Sequence, residues 1–133
     1  MSRTRKDASL IITVALAAAG ANVNSDAIDF EAVAPGVTLE TVELEVALPA
    51  TPNLANDKSI TVSVQDSADG VTFADIDSLA SLIVTGADAA GAGAVTRKYK
   101  LPSDTRRYVR VNAATEADGG NNTAVEATIA PLF

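Results

Sequence analysis

Asp66 and Asp69, three positions apart and followed directly by Gly70, are the most chemically suggestive grouping in this chain. Close carboxylates beside a glycine are what a calcium loop uses, but such a loop supplies about six to eight oxygens. Asp-Gly between two alternating segments is also the mark of a hairpin. A turn is therefore the expected role. Asp75 and Asp77 form a second carboxylate pair. Acid–base work by such a pair needs a pocket that pushes one pKa away from the other. Nothing flanking these residues suggests one, and a solvated face is expected. Asn121-Asn122-Thr123 has the spelling of a glycosylation acceptor, but it sits among turn residues and such short spellings arise by chance. The late bases Arg97, Lys98, Lys100, Arg106, Arg107 and Arg110 interleave with Tyr99 and Tyr108. Aromatics among bases can stack single-stranded nucleic acid. Along strands, tyrosines pack instead, so protein contact or solvated charge is the expectation.

The residues that are absent exclude more. The chain has no cysteine, histidine or tryptophan. Disulfides, thiolate metal sites, the commonest general base and the Ser-His-Asp arrangement are all impossible. We expect no enzyme activity, no cofactor, no metal and no small-molecule substrate.

Charge is uneven. Net charge is −7, from 17 acids against 10 bases. Lys58 is the one base between Asp7 and Ala94; Arg3, Arg5 and Lys6 precede that stretch, and the six late bases follow it. A bipolar surface of this kind suits an acidic partner surface. Nucleic-acid domains are normally basic overall, so no nucleic-acid partner is expected. Basic residues followed by apolar residues 10–21 have the order of a secretory signal. The segment is too short to span a membrane, so no membrane partner is expected. Its start, Leu10-Ile11-Ile12-Thr13-Val14, also suits a strand. We read residues 1–8 as a basic arm and 9–133 as one domain. Arg3, Arg5, Lys6, the six late bases, and the apolar ending Leu132-Phe133 are the candidate partner-contact residues.

The elements that must position these groups are strands. Val, Ile and Thr favour pleated surfaces. Val42-Glu43-Leu44-Glu45-Val46-Ala47-Leu48 alternates with period two, as do Ser59-Ile60-Thr61-Val62-Ser63-Val64-Gln65 and residues 123–129. Val71-Thr72-Phe73, 95–101 and 107–113 read as further strands. Turn chemistry separates them: the prolines and asparagines of 49–57, Asp66-Ser67-Ala68-Asp69-Gly70, Pro102-Ser103-Asp104, and Asp118-Gly119-Gly120-Asn121-Asn122. Residues 87–94, all Gly, Ala or Asp up to Ala94, read as a flexible tip. Helix is the competing reading for residues 13–21 and 75–82; in the second, Ile76, Leu79 and Leu82 stand at helical spacing, so at most one short helix is expected. The spacing predicts an all-β, antiparallel sandwich or jelly roll of about seven or eight short strands. Its core is thin. Only five residues are aromatic (Phe30, Phe73, Tyr99, Tyr108 and Phe133), and alanine is abundant. Such a protomer gains from a partner by mass action, and a homo-oligomer of two or three copies is expected.

Three segments together carry a resemblance: 22–30, 64–73 (Val-Gln-Asp-Ser-Ala-Asp-Gly-Val-Thr-Phe), and 101–112 (Leu-Pro-Ser-Asp-Thr-Arg-Arg-Tyr-Val-Arg-Val-Asn), followed by a glycine-rich turn and 123–129. In this order the chain resembles the small jelly-roll cement, or decoration, proteins of tailed-bacteriophage capsids. The resemblance covers most of the chain after Ala21 but not the basic extension. It implies a protein made in the bacterial host cytoplasm and bound outside an icosahedral shell, where it bridges major capsid protein subunits. The competing expectation is a carbohydrate-binding or adhesin-type sandwich module, although such sites usually present aromatic platforms that this chain scarcely has.

Overall fold

Side chains that alternate along an extended chain point to opposite faces, and two such sheets bury their apolar faces against each other. The computed structural model, which describes residues 11–30 and 42–132, realises this pattern. Ten strands occur among the described residues: β1 (Ile12–Ala15), β2 (Asn22–Asn24), β3 (Ile28–Asp29), β4 (Glu43–Leu48), β5 (Ser59–Ser67), β6 (Ala74–Asp75), β7 (Leu82–Thr85), β8 (Val95–Lys100), β9 (Tyr108–Thr115) and β10 (Glu126–Leu132). One sheet has the order β1-β10-β4-β8. The other runs β2-β9-β5-β6, with β3 also on β9 and β7 also on β5. All strand pairs are antiparallel.

The pairing is nested. β1 meets β10, β2 and β3 meet β9, β4 meets β8, and β5 meets β6 and β7. A long hairpin rolled across two sheets gives this order, which is a jelly roll. The ten segments fill eight strand positions, because two positions are interrupted. Between β2 and β3 the register slips by one residue, from Asn24↔Asn112 to Ile28↔Val109. That is a bulge. Ser25 holds it: its N–H donates to the Val111 carbonyl at 2.9 Å, and its Oγ accepts from the Val111 N–H at 3.0 Å.

The inward residues are Leu44, Val46 and Leu48 of β4, Ile60, Val62 and Val64 of β5, Val109 and Val111 of β9, and Ile129 of β10, each at most 3% exposed. The core is aliphatic, with Phe30 and Tyr99 as its buried aromatics. The Tyr99 hydroxyl donates to the Ala80 carbonyl at 2.7 Å, which lets a polar tip sit inside.

Three local expectations differ. Residues 75–82 are not a helix: Asp75 ends β6, Leu82 starts β7, and the Leu79 N–H closes a turn on the Ile76 carbonyl at 3.0 Å. The spacing of Ile76, Leu79 and Leu82 comes from a strand–turn–strand detour that returns to the same core. Val71-Thr72-Phe73 is not a strand; Ala74 and Asp75 take the pairing with β5. The Gly/Ala segment is anchored. Thr51 and Ala92 exchange backbone bonds at 2.8 and 3.2 Å, and the Ala89 N–H donates to Asn56 Oδ1 at 2.8 Å. The arm of residues 1–8, with Arg3, Arg5 and Lys6, lies outside the described residues, as does Phe133.

Candidate functional site

The carboxylates come first. Asp66 stands at the end of the inward row of β5 and is 8% exposed. Its Oδ1 accepts from Arg106 Nε at 3.1 Å and Nη2 at 2.8 Å, and its Oδ2 accepts from the Arg106 backbone N–H at 3.0 Å. Arg106 Nη2 also donates to the Asp66 carbonyl at 3.0 Å. The Asp66 hydrogen bonds raise the already high pKa of the guanidinium. Both groups are used up in closing this end of the sandwich. Asp69 caps its own turn. Its Oδ1 accepts from the Thr72 N–H at 3.0 Å, the Val71 N–H at 2.9 Å and the Ser67 hydroxyl at 2.8 Å.

Those three bonds, the backbone donors of Thr72 and Val71 first, lower the Asp69 pKa from 3.8 to about 2. A carboxylate with a depressed folded pKa stabilises the fold fully above its unfolded value. That contribution is then lost as the pH falls through the folded one. Stability measured from pH 5 down to pH 2 should therefore fall less steeply in Asp69→Asn than in the parent, with the difference confined to the window between about 4 and 2. Equal slopes would remove the turn's dependence on this charge.

Asp66 and Asp69 thus turn to separate internal partners. Among the described residues no three carboxylates converge to hold a metal ion. Melting curves with millimolar calcium and with chelator are expected to coincide, and a shift of several degrees would restore a calcium role for this turn. A shallow cleft of about 470 Å³ is lined by Asp66, Asp75, Ile76, Asp77, Ser78, Asp104 and Arg106. Asp75 accepts from Gln65 Nε2 at 2.9 Å. Asn121 Oδ1 accepts from the Thr123 hydroxyl at 2.7 Å and the Thr123 N–H at 3.2 Å, a local turn.

The six late bases divide in two. Arg106, Arg107 and Arg110 serve the second sheet. Arg107 grips Asp29 through two bonds, Nε–Oδ1 at 2.7 Å and Nη2–Oδ2 at 2.8 Å, and lies 5.0 Å from the Tyr108 ring centre. Arg110 donates to Gln65 Oε1 at 2.9 Å and stacks 3.9 Å over Phe73. Arg97, Lys98 and Lys100 belong to β8, the terminal strand of the first sheet, and all three are exposed. Among the described residues none of these three forms an ion pair. Arg97 donates to the Ser81 carbonyl at 3.3 Å. Lys98 and Lys100 are the cross-strand partners of Glu45 and Glu43.

Leu132 stands in β10 and is 1% exposed. It is covered within its own protomer and offers no free apolar seam, which corrects its place among the contact residues. The exposed isoleucine on an edge is Ile83 of β7, 59% exposed. Sequence reasoning passed over it because its neighbours Leu82 and Val84 are equally apolar. No helix among the described residues is long and apolar enough to cross a membrane.

A search of the curated proteins finds no match. The family model described as Bbp16 matches residues 10–129, which takes in every strand up to most of β10. By that match the chain belongs to the Bbp16 family.

Proposed function

We propose that this protein is a structural virion component, a cement or decoration protein. It binds the outside of a tailed-phage head and bridges neighbouring major capsid subunits. The observation that carries the reading is the uneven use of its bases. An acidic jelly roll engages Arg106, Arg107 and Arg110 in internal bonds and, among the described residues, leaves Arg97, Lys98 and Lys100 without an ion pair on one terminal strand. A surface of that kind suits docking to an acidic protein surface rather than turnover of a substrate. The family name, which points to a phage-related protein, and the jelly roll agree with it. In this reading the protein is made in the host cytoplasm, ends on the capsid exterior as a homo-oligomer of two or three copies, and needs no nucleic acid, cofactor or membrane. The arm with Arg3, Arg5 and Lys6 is a second contact element.

The test is direct. Purified protein is added to heads lacking it, and occupancy is measured by quantitative electrophoresis and electron cryomicroscopy. Saturable binding on the outer surface, with a higher temperature of head disruption, is expected. Heads that stay bare at micromolar protein would overturn the proposal. A carbohydrate-binding module draws less support, because Arg110 covers Phe73 and Arg107 lies over Tyr108, leaving no open aromatic platform there. Specific binding on a glycan array would favour that module instead.

A further inference from the structure

We infer that the edge of β8 left uncovered by the described strands is a strand-docking site. Its occupant is an extended acidic segment, with carboxylates at alternate positions, supplied by the shell subunit. The source of the segment rests on the proposed cement function; the recognition chemistry does not.

The argument starts from the ladder. The Leu101 N–H donates to the Val42 carbonyl at 3.2 Å, one step beyond the β4–β8 register Glu43↔Lys100. In an antiparallel pair, hydrogen-bonded and non-hydrogen-bonded positions alternate. Tyr99 and Arg97 therefore turn their main-chain groups toward β4. Thr96, Lys98 and Lys100 turn theirs the other way. Among the described residues no strand lies on that side of β8. The same three residues carry exposed side chains. Among the described residues, one edge thus presents open backbone donors and acceptors and two lysines at positions i and i+2.

The charge decides what can bind. A second copy of β8 laid antiparallel on this edge would bring lysines against lysines, which is destabilising. An acidic strand meets no such penalty. β4 already shows the complement, since Glu43 and Glu45 face Lys100 and Lys98 across the existing ladder. An incoming strand with acids two apart repeats that match on the open side. Backbone bonds then give affinity and the lysines set the choice of sequence.

The experiment uses isotope-labelled full-length protein and two synthetic peptides, one alternating Glu with Val and Thr, the other with Lys in place of Glu. The acidic peptide should slow amide exchange at Thr96, Lys98 and Lys100, and the basic one should not. Lys98→Gln with Lys100→Gln should weaken binding about tenfold or more. Thr96→Pro keeps every charge, removes one outward N–H, and is tolerated on an edge strand; it should also weaken binding. No protection by the acidic peptide, or equal protection by both, overturns the proposal; the lysines then only guard the edge. A parent that decorates heads no better than Thr96→Pro at limiting concentration also overturns it, and leaves the cement function standing. Peptide protection together with bare heads removes the cement function and keeps the docking edge.

Discussion

Ile129→Ala is expected to cost about 2–5 kcal/mol of folding stability, the range for truncating a buried isoleucine. Ile129 lies in β10 between β1 and β4, is paired across to Ile12 and Val46, and is 1% exposed. It faces a core of Val, Leu and Ile with few aromatics to shift into the space, so the cavity stays open. Domains of ordinary stability hold about 5–15 kcal/mol in total, so the loss is a large share. Urea unfolding of Ile129→Ala, Ile129→Val and Ile83→Ala checks this. The valine variant should lose about 0.5–1.5 kcal/mol. The Ile83 variant should lose little, because that side chain is 59% exposed. Equal losses at both sites would contradict the packing described.

Gly91→Ala is expected to destabilise by more than about 2 kcal/mol, from two causes that add. Gly91 has φ +69°, a left-handed conformation that alanine adopts only with strain. A Cβ there would also overlap the Thr51 carbonyl oxygen and press on Pro52 Cα at 2.7 Å. Neither can retreat easily, since Thr51 is bonded to Ala92 in both directions. Gly120 backs onto the Asn53 carbonyl and Gly86 onto the carbonyls of Leu54 and Ala55, so three glycines clasp the loop after β4. Gly93→Ala is the control. A Cβ there meets nothing within 4 Å, and the variant should unfold with the parent. If Gly91→Ala does the same, the loop moves more freely than the contacts allow.

The sheets were legible where one face is wet. Glu43 and Glu45 between Leu44 and Val46, and the hydroxyls between Ile60, Val62 and Val64, announce their strands by period. β2 does not announce itself. Asn22-Val23-Asn24 has weak strand propensity and is a strand through its pairing with residues 112–114 of β9, where Asn112 Nδ2 also donates to Asn22 Oδ1 at 3.0 Å and Asn24 Oδ1 at 2.7 Å. The turn role of Asp69 was readable because its donors lie within three residues. The division of the late bases was not. Six cations within 97–110 look alike until the fold brings Asp66 to Arg106 across 40 residues and Asp29 to Arg107 across 78. Which strand ends a sheet is likewise a property of topology, invisible to periodicity.

The nested pairing also sets a clock on synthesis. β10 is an interior strand of the first sheet, flanked by β1 and β4, and it is the last strand described to leave a ribosome. Until residues 126–132 emerge, β1 has no neighbour in that sheet, and β4 carries an open edge beside Leu44 and Val46. The β4–β8 pair must wait half-assembled, with apolar side chains uncovered. Distant pairings of this kind slow folding and expose intermediates to aggregation. A nascent chain stalled after β9 should therefore be sensitive to protease and bind chaperones, and release of the last strand should convert it to the resistant form in one step. The docking edge proposed on β8 would have to wait for that step, because β8 is braced through β4 by β10.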